Sequence, residues 1–153
     1  MAILAQVSEA MCRRGLPRPV LVGGAAAEYF SGSALMTGDV NLTSPAQVEL
    51  EEELLRLGFT KPEGVGHTTL GWVHPDLRLG FEVVAEMPFD GMVDRGRLLL
   101  VEGLADRAAF VVIPIEDLIA DRMGQYASGT APEMLGQAQT RYRLHPDLDM
   151  AYL

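Results

Sequence analysis

The sequence predicts a single α/β (α+β) domain in which a mixed sheet of about five strands carries helices mainly on one face. Three observations support this. Short apolar runs of strand length recur, amphipathic segments at helical spacing alternate with them, and Pro75-Asp76 joins two strand-like runs as a hairpin turn. At 153 residues, with 48% hydrophobic and 22% charged residues, the chain suits one domain that buries about 70% of its unfolded surface. The division expected within residues 1–153 is a core over about 18–113 and a helical part over about 114–153.

Residues 2–14 place Ile3, Leu4, Val7, Ala10 and Met11 at helical spacing, and Gly15 with Pro17 ends the segment. Cys12 is read there as a small core or boundary residue. Val20-Leu21-Val22 forms a strand that breaks at Gly23-Gly24 into an alanine-rich helix. A second apolar run carries Asp39 and Asn41 on alternate positions, and the period of two turns both side chains to one face. The double glycine lets backbone approach a ligand closely and leaves the first helical amides free to meet an anion. Without Asp39 downstream it would read as a tight turn between a closely packed strand and helix, and Thr37-Gly38-Asp39 has turn chemistry of its own.

Thr43-Ser44-Pro45 reads as an N-cap and first-turn proline, opening a helix whose buried stripe is Val48, Leu50, Leu54, Leu55 and Leu57. Glu49, Glu51, Glu52 and Glu53 suit the dipole and solvated face of that helix better than they suit a metal site. Gly58 closes the helix and Phe59 returns to the core. Residues 67–84 then form two antiparallel strands around Pro75-Asp76. Glu82, between Phe81 and Val83 in an apolar run, needs either a partner such as Arg78 or a task, because an unpaired buried charge is costly.

A loop follows through residues 88–91, with short strands at 98–101 and 109–113. Pro114 opens a helix over 115–126 that turns Ile115, Leu118, Ile119 and Met123 inward and Glu116, Asp117, Asp121 and Arg122 outward. Gly129 and Pro132 separate it from a helix near 133–143. The last residues, to Leu153, are expected to dock on a neighbouring subunit or to fray.

The net charge of −9 and a single lysine, Lys61, exclude a broad phosphate-neutralising surface for nucleic acid. The arginines fall in small groups, Arg13-Arg14-Arg18, Arg95-Arg97 and Arg141-Arg143, suited to local phosphate contacts. A small anionic substrate, or one carried with a metal ion, fits this balance. One cysteine rules out a disulfide framework and a thiolate zinc site, and cytoplasmic residence is expected, with no leader and no membrane span. His67 and His74 have opposite strand parity, so they share no ion, and Ser31 and Ser33 lack a base. Tyr29, Phe30 and Met36 are read as core.

Together, Val22-Gly23-Gly24, Thr37-Gly38-Asp39-Val40-Asn41-Leu42, Phe81-Glu82-Val83-Val84 and the run from Ile113 to Arg122 resemble the nucleotidyltransferase superfamily of polymerase-beta-type fold. The likeness is to its small bacterial members, including those of toxin-antitoxin systems. It implies a minimal nucleotidyltransferase-like fold plus C-terminal helices, covering most of the chain. It further implies a nucleoside triphosphate held at Gly23, Gly24 and Thr37, with Mg2+ on Asp39, Asn41 and Glu82 and nucleotidyl transfer to a hydroxyl. In the family pattern the position of Asn41 holds a carboxylate, so weaker magnesium binding is implied. The alternative is a catalytically silent member acting as a binding or regulatory partner of another protein.

Overall fold

The computed structural model describes residues 1–32, 39–62, 71–103 and 108–153. Helix α1 (Ala2–Arg13) leads into strand β1 (Val20–Val22), which passes directly into α2 (Gly23–Ser31). Strand β2 (Asp39–Thr43), helix α3 (Gln47–Arg56) and the hairpin β3 (Trp72–His74) with β4 (Leu79–Ala85) follow. A 3-10 turn at Pro88–Gly91 and another at Arg95–Arg97 lead to β5 (Leu99–Val101) and β6 (Phe110–Val112). The chain closes with α4 (Ile115–Ala127) and α5 (Met134–Leu144).

The sheet has six strands in the order β3-β4-β2-β1-β6-β5, where about five were expected. It is mixed: β1 runs antiparallel to β2 and parallel to β6, and β2 runs parallel to β4. The hairpin turn expected at Pro75-Asp76 forms, and its cap is His74, whose Nδ1 accepts the Asp76 and Leu77 amides at 3.2 and 3.3 Å. The N-terminal part of the strand read over 67–74 lies outside the described residues, as do His67, Ser33 and Met36.

Strand register divides the side chains between two faces. Leu21 stands opposite Leu42 and Val112, and Val40 opposite Phe81. This is the core face: Leu21, Leu42 and Phe81 are almost fully buried beneath Leu4, Val7 and Met11 of α1 and Leu50 and Leu54 of α3. Each such side chain contributes about 1.5–3 kcal/mol on burial. Edge-to-face rings extend the packing, with Phe59 at 5.0 Å from Phe81 and Tyr29 of α2 at 5.7 Å from Phe110. Helices α4 and α5 pair with each other and lean on α2. Val20, Val22, Asp39, Asn41, Thr43, Glu82 and Val84 belong to the opposite face.

Several local expectations change. Helix α3 begins two residues later than the Thr-Ser-Pro signal suggests, because Ser44 Oγ accepts the Ala46 amide at 3.2 Å and makes a turn of its own before the helix. Val48 and Leu55 face solvent, which leaves Leu50 and Leu54 as the buried stripe. Glu53, read as solvated, is 6% exposed because two arginines reach it, Arg14 at 2.7 Å and Arg56 at 2.6 Å. Met123 is exposed, while Glu116 and Arg122 are buried, each with a polar partner: Glu116 Oε1 accepts the Asp149 amide and Arg122 donates to Asp121. Cys12 lies on the exposed side of α1.

The residues after α5 fold back onto their own chain and do not fray. Asp149 pairs with Arg97 at 2.9 Å, Tyr152 Oη donates to Asp117 Oδ2 at 2.9 Å, and the Arg97 guanidinium lies 3.9 Å from the Tyr152 ring centroid. Among the described residues, no helix is long and apolar enough to cross a membrane.

Candidate functional site

The first α2 residue follows β1 without a linker, so the chain must turn within Gly23. That glycine has φ +64°, a conformation costly for any residue with a Cβ. A Cβ on Gly23 would rest against Asn41 at ordinary packing distance, 3.4 Å from its Cβ and 3.6 Å from its Nδ2. The Asn41 side chain therefore stands beside the glycine turn. The amides of the first helical turn open at the same sheet end, where Gly24 is half-buried.

Register supplies the other neighbours. Asn41 lies opposite Val22 on one side and opposite Glu82 on the other, while Asp39 lies opposite Gly80. Adjacent strands are about 4.8 Å apart and side chains of paired residues share a face, so Asn41 and Glu82 stand side by side. Asp39, two residues from Asn41 on the same face, lies diagonally across from Glu82 beside a residue without a side chain. Thr37 lies outside the described residues.

The strand pattern thus brings together Asp39, Asn41, Glu82 and Gly23. Glu82 does not pair with Arg78, which takes φ +51° in the hairpin turn. Among the described residues, no hydrogen bond or ion pair engages the side chains of Asp39, Asn41 or Glu82. Nor do three His, Cys, Asp or Glu side chains group closely enough there to hold a metal ion. In this patch the reason is plain, since its third side chain is an amide.

The arginine groups are partly engaged elsewhere. Arg14 bonds Glu52 and Glu53, Arg18 bonds Glu9 and Ser8, and Arg97 bonds Asp149. These pairs take up three of the seven arginines that the sequence offered to phosphate.

Two features of the patch escape the strand-and-glycine reading. Gly71 packs against Glu82: a Cβ there would lie 2.6 Å from the Phe81 carbonyl oxygen and 3.2 Å from Glu82 Cβ. Its signal was available, because a glycine inside a strand-like run marks close backbone approach. The second is Thr43, on the same face two residues beyond Asn41, which the cap-like Thr-Ser-Pro run disguised.

Comparison with solved structures gives a consistent architecture. The fold is similar to that of the antibiotic-resistance factor ANT(2'')-Ia, whose solution structure reveals substrate-regulated conformation dynamics, with a TM-score of 0.56 and 18% identity over 94% of this chain and 80% of that one. It is also similar to an antigenic nucleotidyltransferase-like protein from Paracoccidioides brasiliensis, with a TM-score of 0.63 and 13% identity over 95% of this chain and 74% of that one. No protein-family model and no curated protein sequence matches the chain.

Proposed function

From the nucleotidyltransferase fold that these likenesses establish, we propose that the protein binds a magnesium nucleoside triphosphate where β1, β2 and β4 meet the start of α2, and transfers a nucleotidyl group to a hydroxyl. The observation that carries this reading is the register of Asn41 with Glu82 combined with the position of Asn41 beside the Gly23 turn. A turn able to approach phosphate and a set of oxygen donors thereby share one sheet end.

The donors fit a hard cation. Asp39 and Glu82 supply carboxylate oxygens and Asn41 an amide oxygen, all of the kind magnesium prefers. With two formal negative charges where three carboxylates would give three, this set holds the ion weakly until phosphate oxygens join it. The ion's chemistry, when bound, is to neutralise charge on the phosphates. The chain's part is to orient: Gly23, Gly24 and the first α2 amides face the phosphates, with Thr37 a further donor. A chain whose one cysteine is unpaired suits a reducing, cytoplasmic setting.

Calorimetric titration with magnesium-ATP tests the reading. Saturable binding that requires magnesium and is lost in Asp39→Ala is expected, and the absence of heat at millimolar ligand overturns it. Asn41→Asp is expected to tighten magnesium dependence about tenfold or more, by adding a charge to the donor set. A second reading rests on Asn41 itself: a catalytically silent member that binds a partner protein, as in a toxin-antitoxin pair. In that case Asp39→Ala leaves partner capture and cellular function unchanged.

A further inference from the structure

The face bearing Asp39, Asn41 and Glu82 continues along β1 and β2 to Val20 and Thr43, and two cavities adjoin there. One, of about 190 Å³, lies against Val22, Val84 and Phe89. The other, of about 180 Å³, lies against Val20, Met87, Val93 and Leu98. Thr43 and Pro88 wall both. The linings are mostly hydrocarbon, with Arg18, Glu86 and Arg95 on the second cavity and Asp90 on the first, and at their junction Thr43 is 3% exposed with no hydrogen-bond partner for its Oγ1. A buried hydroxyl in that state is costly unless a ligand atom completes it.

The rim adds charge. Arg18 borders the second cavity but is held by Glu9, Ser8 and the Ala109 carbonyl oxygen. Arg95 borders it too and, among the described residues, forms no ion pair, its guanidinium reaching only Met87 Sδ at 2.8 Å. Glu86, also at the rim, is exposed and lacks a cationic partner among the described residues. Over the first cavity the backbone is strained, with Phe89 and Asp90 at φ +47° and +52°. Non-glycine residues persist in that region where surrounding structure enforces it, often beside a ligand.

We propose that these adjoining cavities form the acceptor subsite, taking a single-ring hydroxy compound with an anionic substituent, a step that rests on the nucleotide reading above. The size fits, since an apolar cavity of about 150 Å³ accepts benzene. Thr43 lies two residue steps along β2 from Asn41, roughly 7 Å, so a ring anchored at Thr43 extends toward the candidate phosphate site. Its anionic end meets Arg95. In the transfer, the ring hydroxyl oxygen attacks the α-phosphorus and the bond from that phosphorus to the bridging oxygen breaks. Pyrophosphate leaves with the electron pair, and the hydroxyl proton passes to solvent water.

Heteronuclear NMR of the full chain titrated with 4-hydroxybenzoate tests this, in parallel with magnesium-ATP. Saturable shifts at the Val20, Thr43 and Val93 amides are expected. Thr43→Val and Arg95→Gln should each weaken binding about fivefold, and Leu98→Trp, which fills the second cavity, should abolish it while the spectrum stays folded. No shift at millimolar ring compound, or unchanged affinity in the two weakening variants, overturns the proposal. Magnesium-ATP binding without ring binding overturns the acceptor class alone. Ring binding without magnesium-ATP binding overturns the nucleotide reading, and the acceptor role with it.

Discussion

Gly23 answers to two constraints at once, a left-handed backbone and a neighbour in van der Waals range. Alanine there meets both, since φ is +64° and its Cβ would lie 3.4 Å from Asn41 Cβ. Gly23→Ala is expected to lower unfolding free energy in urea by about 1–2 kcal/mol. The backbone strain falls on the turn that faces the candidate phosphate site, so the loss in magnesium-ATP affinity should exceed what stability alone explains. At this scale the sequence was informative where one strand's alternation decided the outcome: Asp39 and Asn41 share a face through local geometry, and Glu82 was conspicuous among apolar neighbours. It was uninformative where a residue's meaning depends on a distant partner. Thr43 looked like a cap because its true surroundings, Val20 and Pro88, are not its neighbours in the chain.

Helices α1 and α3 are tied by Arg14, which reaches Glu52 and the more deeply buried Glu53. Glu53 sits at 8% side-chain exposure between Arg14 and Arg56, whose own exposures are 31% and 64%. Because the carboxylate is buried and the arginines half-solvated, Glu53→Ala is expected to cost about 2 kcal/mol, measured by urea unfolding. Glu49, Glu51, Glu52 and Glu53 read as a solvated surface, and only the fold brings Arg14 against two of them.

The turn after α5 makes the second element-level link, and its pH response follows from two carboxylates shifted in opposite directions. The hydrogen bond from Arg97 chiefly holds Asp149 below the ordinary carboxylate range. Its contribution is therefore complete above the unfolded value, about 4, and is lost as pH falls through the lowered folded value. Burial raises Asp117, against a hydrogen bond from Tyr152 that lowers it. Its contribution is present at low pH and is lost as pH rises through the raised value. Acidification below about 4 thus loosens only the Asp149 side. Exchange of the Ala151 and Tyr152 amides, which donate to Asp149 Oδ1 at 3.1 and 3.2 Å, is expected to accelerate there beyond the intrinsic rate. Arg97→Gln should remove most of that dependence.

Across the whole molecule, excess acid and engaged arginines act together. With a net charge of −9 and Arg14, Arg18 and Arg97 paired internally, little cationic surface remains for a polyanion. Non-specific duplex DNA binding is expected to be undetectable by anisotropy at physiological salt, and a micromolar Kd would contradict this. The architecture was largely legible because periodicity, glycine breaks and the hairpin turn are local signals. Strand order was not, since a parallel neighbour leaves no trace in the strand it joins.

That strand order bears on the history of each molecule as it is made. Central strand β1 gains β2 early, but its other edge waits for Val111 and Val112. During synthesis, Val20 and Leu21 therefore keep unpaired amides and carbonyls until residues 110–112 have cleared the ribosome. Such an edge can template contact with another nascent chain. Closing it joins residues remote in sequence, a slow event by its loop entropy. The strand that leads into the glycine turn is thus among the last to be sealed, and a chaperone that shields residues 20–22 would protect the yield of folded protein more than its final stability.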